Sequence, residues 1–195
     1  MLPVSTPVNV RPQFGLTVVS TKVAGSLSIN DAPADAGNSG ILQLRSAAGD
    51  RVTIGNTSGP SFSARVVPGT YDLFYVRTAT PNNTSTAAPA NQAARLKSGV
   101  VVSAGGPVAL DIDIPSVTVT GAITINGGPA AAADVGTIFL QSDAGDIAAF
   151  PLTGAGSYIA RVVPGTYDIY FSRADSVGST TPMNTLVKLR CFTVP

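Results

Sequence analysis

The sequence predicts an all-β fold of two tandem β-sandwich domains with an extended N-terminal strand. Three features predict it. First, the nine residues from Ala64 to Asp72 recur letter for letter from Ala160 to Asp168, so the chain carries a tandem duplication at a shift of 96. Gly25 to Thr80 aligns without a gap on Gly121 to Ser176, with 24 of 56 positions identical. A unit of about 95 residues is large enough to bury one core. Second, apolar residues alternate with a period of two in each copy, as half-buried strands require. Third, helix formers are scarce: Glu is absent, Lys occurs three times, and the 20 Gly and 15 Pro are turn residues.

The duplication supplies an internal control, because positions facing a core stay apolar in both copies. Val23, Gly25, Leu27 and Ile29 match Val119, Gly121, Ile123 and Ile125, a first strand that ends in the turns Asn30-Asp31-Ala32-Pro33 and Asn126-Gly127-Gly128-Pro129. Leu42 and Leu44 match Ile138 and Leu140 in a second strand, which ends at Ala48-Gly49-Asp50 and Ala144-Gly145-Asp146; Ile54 matches Phe150 in a third. Phe62, Ala64 and Val66 match Tyr158, Ala160 and Val162. Tyr71, Leu73 and Tyr75 match Tyr167, Ile169 and Phe171. These last two strands hold most of the aromatic core. Pro68-Gly69 and Pro164-Gly165 between them suit a type II turn, with positive φ at the glycine, or else an arch from one sheet to the other. In a hairpin Arg65 would face Asp72, and Arg161 would face Asp168.

Beyond this point the copies diverge. Residues 78 to 94 form a polar stretch whose length changes between copies, which marks a surface loop. Val187, Leu189 and Cys191 alternate inward in the following strand, so Cys191 is expected to be a buried small hydrophobe. The first copy adds a strand with Val108, Leu110, Ile112 and Ile114 inward and Asp111 and Asp113 outward. At the same shift Phe14, Leu16 and Val18 fall on Leu110, Ile112 and Ile114, whereas no counterpart follows the second copy before Pro195. The expected organisation is an N-terminal donor strand over residues 1–18, a first sandwich over 19–115 and a second over 116–195 that lacks its closing strand.

The missing residue types exclude much chemistry. Without His or Glu there is no His-based acid–base catalysis, no Ser-His-Asp or Cys-His arrangement and no ordinary zinc ligand set, so the chain is expected to be no enzyme and to hold no cofactor or metal. Asp111 and Asp113 are too few oxygens for calcium. A net charge of +1 without a basic block argues against nucleic acid and anionic membrane surfaces. No apolar run is long enough to span a bilayer. The N-terminus lacks the pattern of a signal peptide. A low-charge β repeat rich in Thr, Ser and Gly points to an extracellular or cell-surface setting and a mature or trimmed chain.

The Gly-containing first strands (Gly25, Gly121), the turns ending in Pro33 and Gly128-Pro129, and the corners Pro68-Gly69-Thr70-Tyr71 and Pro164-Gly165-Thr166-Tyr167 resemble the carboxypeptidase-regulatory-like domains. These are transthyretin-like (prealbumin-like) sandwiches akin in shape to collagen-adhesin B-type stalk repeats. The resemblance implies a seven- or eight-stranded Ig-like sandwich with a structural, adhesive or accessory role, and places a strand such as Val108 to Ile114 last in its domain.

The expected function is that of a structural subunit that self-associates head to tail, with residues from about Val8 to Val18 filling the second domain of the next subunit. Its interface candidates are Val8, Val10, Phe14, Leu16, Val18 and the outward aromatics Phe74 and Tyr170, while Pro68, Gly69, Tyr71, Pro164, Gly165 and Tyr167 are structural. The alternatives are a monomeric spacer, in which the strand opens the domain that follows it, and an accessory module binding a surface glycan or a neighbouring protein.

Overall fold

A computed structural model of the chain describes residues 15–78, 87–130, 135–153, 156–173 and 186–195. They form an all-β structure without helix. The first repeat contains β1 (Thr21–Ile29), β2 (Ala32–Pro33), β3 (Gly40–Ser46), β4 (Arg51–Asn56), β5 (Ser61–Val66), β6 (Gly69–Arg77), β7 (Ala94–Val102), β8 (Val108–Ala109) and β9 (Ile112–Ile114). The second contains β10 (Val117–Ala122), β11 (Thr124–Ile125), β12 (Gly128–Pro129), β13 (Val135–Ser142), β14 (Ile147–Thr153), β15 (Ser157–Val162), β16 (Gly165–Arg173) and β17 (Val187–Val194).

Each repeat is a sandwich. In the first, β2 and β5 pair antiparallel with β1, while β8 and β9 run parallel along its other edge; the order β4-β3-β6-β7 makes the facing sheet. Val23, Leu27, Ile29, Phe62, Val66 and Ile114 from one sheet meet Leu42, Leu44, Ile54, Tyr71, Leu73, Tyr75 and Val102 from the other. In the second repeat the order β14-β13-β16-β17 faces the pairs β10-β15 and β11-β12, around Leu140, Val162, Tyr167, Ile169 and Phe171. The alternation of the sequence is thus the alternation of the sandwich.

The first turn of each repeat follows from its residues. Asn30 and Asp31 have φ of 52° and 62°, and Asn126 and Gly127 have 53° and 84°, the left-handed pair that a two-residue hairpin of the right twist demands.

The Pro-Gly corner is not a type II hairpin: Gly69 does not have a positive φ, and Gly165 has one, 158°, that is far from the roughly +80° of a type II turn. β5 pairs with β1 whereas β6 pairs with β3 and β7, so the chain arches between sheets, and the cross-strand pairs Arg65–Asp72 and Arg161–Asp168 do not form. Asp72 instead lies 3.6 Å from Arg95, and Asp168 is 2.6 Å from Lys188. The glycine serves the tyrosine that follows. Tyr71 folds back so that its hydroxyl donates to the Val67 carbonyl at 2.8 Å, and a Cβ on Gly69 would sit 3.2 Å from its ring. Tyr167 makes the same bond to Val163 at 2.6 Å.

Cys191 is also a correction: it is exposed. A bulge between Ile169 and Tyr170 shifts the register of β17, so Phe192 and Val194 turn inward and Cys191 takes the opposite parity.

The tightest approach is where β1 passes the strand that closes its sheet. A Cβ on Gly25 would lie 2.1 Å from the Leu110 carbonyl oxygen. Backbone cannot yield there, so Gly25→Ala is expected to destabilise by at least about 2 kcal/mol, more than Gly69→Ala, whose obstacle is the edge of one ring. Tyr71→Ala and Tyr167→Ala should each cost about 3–5 kcal/mol as buried aromatics. Chemical denaturation of the four variants measures both, and equal effects of the two glycine changes would refute the ranking.

Candidate functional site

Two places in the second repeat differ from their equivalents in the first. One is the edge of its first strand opposite β15, along which none of the described residues pairs; the other is its tyrosine corner.

In the first repeat, β8 and β9 lie along β1 in parallel register, with Val23 opposite Val108 and Leu27, Ser28 and Ile29 opposite Ile112, Asp113 and Ile114. The strand therefore closes the domain that precedes it. Its outward carboxylates are tied down: Asp111 accepts from the Ser26 hydroxyl at 2.7 Å and the Ser26 N–H at 2.9 Å, and Asp113 accepts from the Ser28 hydroxyl at 2.6 Å and the Asp31 N–H at 2.9 Å. The Ser26 hydroxyl and N–H hold the Asp111 carboxyl below the usual carboxylate range. At the exit, Asn30 exchanges two bonds with the backbone of Ser116, at 2.9 and 2.7 Å.

Among the described residues of the second repeat, nothing lies along the corresponding edge of β10 and β11. Val23, Leu27 and Ile29 are fully buried in the first repeat, whereas Val119, Ile123 and Ile125 are only half-buried. The gap is an apolar groove lined by Ile123, Ile138, Tyr158, Ile169, Phe171 and Leu189, and Leu189 is 55% exposed. Where Gly25 meets the Leu110 backbone, Gly121 meets the Tyr158 ring, whose atoms would lie 2.5 to 2.6 Å from an added Cβ. A side chain thus occupies the space that backbone takes in the first repeat.

Of the interface residues predicted from sequence, Val8, Val10 and Phe14 lie outside the described residues. Leu16 and Val18 are 91% and 80% exposed, so neither packs into the first repeat, whose edge β8 and β9 already hold. Phe74 is half-buried with the Arg45 guanidinium 4.1 Å from its ring centre, and Tyr170 lines a shallow hollow with Phe139, Gln141, Ile147 and Leu186. The structural residues Tyr71 and Tyr167 are buried, with Pro68, Gly69, Pro164 and Gly165 at their corners.

The second place was missed in the sequence. The described part of the polar stretch, from Ala87 to Ala93, is no surface loop but a clasp between the repeats. Asn91 is completely buried; its carbonyl side-chain oxygen accepts from the Val163 N–H at 2.9 Å and its amide donates to the Tyr167 hydroxyl at 3.1 Å. Backbone bonds run from Ala90 N–H to the Arg161 carbonyl at 2.7 Å and from Gln92 N–H to the Ile147 carbonyl at 2.6 Å, so the clasp extends the edge of β14. Tyr75 anchors it by donating to the Pro89 carbonyl at 3.0 Å; burial pushes that hydroxyl up to about 12. Asp146 closes the contact by accepting from the Arg95 N–H at 3.2 Å, and burial raises its carboxyl above the usual range. The corner motif itself gave no signal, since it is identical in the first repeat, where Val67 is left exposed.

Among the described residues no three His, Cys, Asp or Glu side chains gather where they could hold a metal ion, and no helix is long and apolar enough to cross a membrane.

No protein-family model and no curated protein matches the chain. Solved structures similar to it include the Bacillus anthracis TIE protein, at 7% identity and a TM-score of 0.35 over 90% of this chain and 31% of that one. Others are a DUF3823 family protein from Parabacteroides merdae (14% identity, TM-score 0.33, 89% of this chain and 100% of that one) and a streptococcal ancillary pilin (12%, 0.34, 91% and 59%). The chain spans about a third of the length of the first of these.

Asn91→Ala is expected to cost about 1–3 kcal/mol, since it strands the Val163 N–H in a buried contact. Thermal unfolding should also show the repeats melting less cooperatively; an unchanged melt would dismiss the clasp. Asp146 has a folded pKa above its unfolded one, so its contribution is fully present below the ordinary carboxylate range and is lost as pH rises through the raised value. Asp146→Asn keeps an acceptor for Arg95 and does not ionise. Its melting temperature relative to the parent should therefore increase from about pH 3 to about pH 7; a constant difference would contradict the assignment.

Proposed function

We propose that the chain is a structural subunit of an extracellular or cell-surface assembly, joined head to tail by insertion of the N-terminal segment of one subunit into the second domain of the next. The subunit then comprises a donor segment, residues 1–18, and two domains, 19–115 and 116–195. The observation that carries the reading is the apolar groove beside β10 and β11, at the place where the first domain receives β8 and β9.

The intrachain register supplies the intermolecular one. Shifted by 96, the pairs Leu27–Ile112 and Ile29–Ile114 become Ile123–Leu16 and Ile125–Val18, and Phe14 passes over Gly121. The polar partners change together. Ser26 faces Asp111, but Ala122 would face Gly15, so no carboxylate is placed against an alanine that cannot bond it. Asn126 and Ser20 retain the residue types of the Asn30–Ser116 exchange. A main-chain ladder would give affinity, and the alternate apolar side chains would give register. Because groove and donor lie on different parts of the chain, the contact propagates rather than closes. The low charge of the chain suits burial among copies.

A second reading is favoured by the hollow around Phe139, Gln141 and Tyr170, an aromatic and amide surface of the kind that stacks and hydrogen-bonds a sugar. A glycan array with Tyr170→Ala as control tests it.

Deletion of residues 1–18 should leave a folded, non-assembling protein that binds a synthetic peptide of residues 8–20. Gly121→Ala sharpens the test. In the free protein Tyr158 can swing away, for a cost under about 1 kcal/mol, but a donor backbone cannot, so the variant should fold and fail to bind the peptide. Assembly that survives the deletion, or a peptide that binds both proteins equally, would sink the proposal.

A further inference from the structure

Among the described residues, the tyrosine corner of the first domain has no clasp. Val163 in the second domain is 7% exposed beneath Ala90 and Asn91, whereas the identical residue Val67 in the first is 53% exposed. Among the described residues the Val67 N–H has no partner, and the Tyr71 hydroxyl bonds only the Val67 carbonyl. The fold thus builds the same receptor twice, and the described residues fill one of the two. Its occupant in the second domain is the sequence Ala88-Pro89-Ala90-Asn91, held by one side chain that accepts from a main-chain N–H and donates to a tyrosine hydroxyl. The second repeat carries the same signature at the same distance before its last strand: Thr181-Pro182-Met183-Asn184, followed three residues later by Val187-Lys188-Leu189 where the first has Ala94-Arg95-Leu96.

We infer that the Val67–Tyr71 corner is a second subunit interface, which receives the Pro182-Met183-Asn184 segment of another copy of this chain. Asn184 would accept from the Val67 N–H and donate to the Tyr71 hydroxyl, as Asn91 does with Val163 and Tyr167. The inference rests on the strand-donation reading for its pair of subunits. The copy whose second domain receives the donor strand is the copy whose Asn184 reaches the donor's own first domain, since within one chain β8 and β9 lead into β10 while the clasp spans the same two domains. The junction between subunits would repeat the junction within one. Met183, longer than Ala90, would cover the exposed Val67 side chain.

The test labels a Val67→Cys variant, in a Cys191→Ser background, with a soluble maleimide. Val67 is exposed in the single chain, so the variant should fold. Labelling of the assembled full-length protein should be about tenfold slower than that of the same variant lacking residues 1–18. Asn184→Ala should restore fast labelling in the assembled state and raise the concentration needed for assembly about tenfold, while leaving binding of the residue 8–20 peptide unchanged. Equal labelling in assembled and unassembled protein would overturn the inference and leave strand donation standing. Absence of both assembly and peptide binding would overturn both.

Discussion

The edge of the first strand in each repeat is the constraint on which the structure depends. A β-strand at an edge presents backbone N–H and C=O groups with no partner, and beneath it lie side chains that only one sheet covers. In the first repeat the strand from Val108 to Ile114 answers both needs: it pairs with β1 in parallel, and it buries Leu110, Ile112 and Ile114 against the facing sheet. The approach is so close that β1 must carry glycine at position 25. Complete burial of Val23, Leu27 and Ile29 follows from that cover, as does the half-burial of their equivalents where the cover is absent among the described residues.

Closing an edge with a strand that continues into the next repeat has a mechanical result. Ile114 ends one sandwich and Val117 begins the other, so two residues separate the cores, and the Asn30–Ser116 exchange leaves little slack at the link. The clasp adds a second tie on a different face, through Asn91 at the tyrosine corner and Gln92 at the edge of β14. Two separated ties define an orientation as well as a distance. An asparagine is tolerated there with no exposure at all because its oxygen and its amide both find partners, the Val163 N–H and the Tyr167 hydroxyl.

Much of this was legible in the sequence because duplication turns one chain into its own alignment. Inward positions from Val23 to Tyr75 were identified by staying apolar in both copies, and the strand from Val108 to Ile114 by its own alternation, while its place at the end of the first sandwich rested on the family resemblance. What failed to be legible depends on long-range geometry. The Pro-Gly corner looked like a type II turn because local residue preferences fit one, whereas its glycine answers to a tyrosine ring. Cys191 was placed inward by simple alternation, which a single bulge reverses. The clasp was taken for a surface loop because its composition is polar and its length varies, yet a buried polar side chain with full partners looks no different in sequence from a solvated one.

Under the proposed strand donation, repetition within the chain and repetition between chains would call for different residues at the closing strand. Within the chain the closing strand is present at an effective concentration set by a short connection, so it can carry Asp111 and Asp113 outward and still dock, their charges held by Ser26 and Ser28. A strand arriving from another molecule has no such advantage and must bind by burial and main-chain pairing alone. Gly15 and Thr17 at the positions equivalent to those carboxylates carry no charge, and Phe14 in place of Leu110 is a larger apolar residue, as the proposed docking would need. The substitutions run in the direction that the proposed bimolecular contact would require.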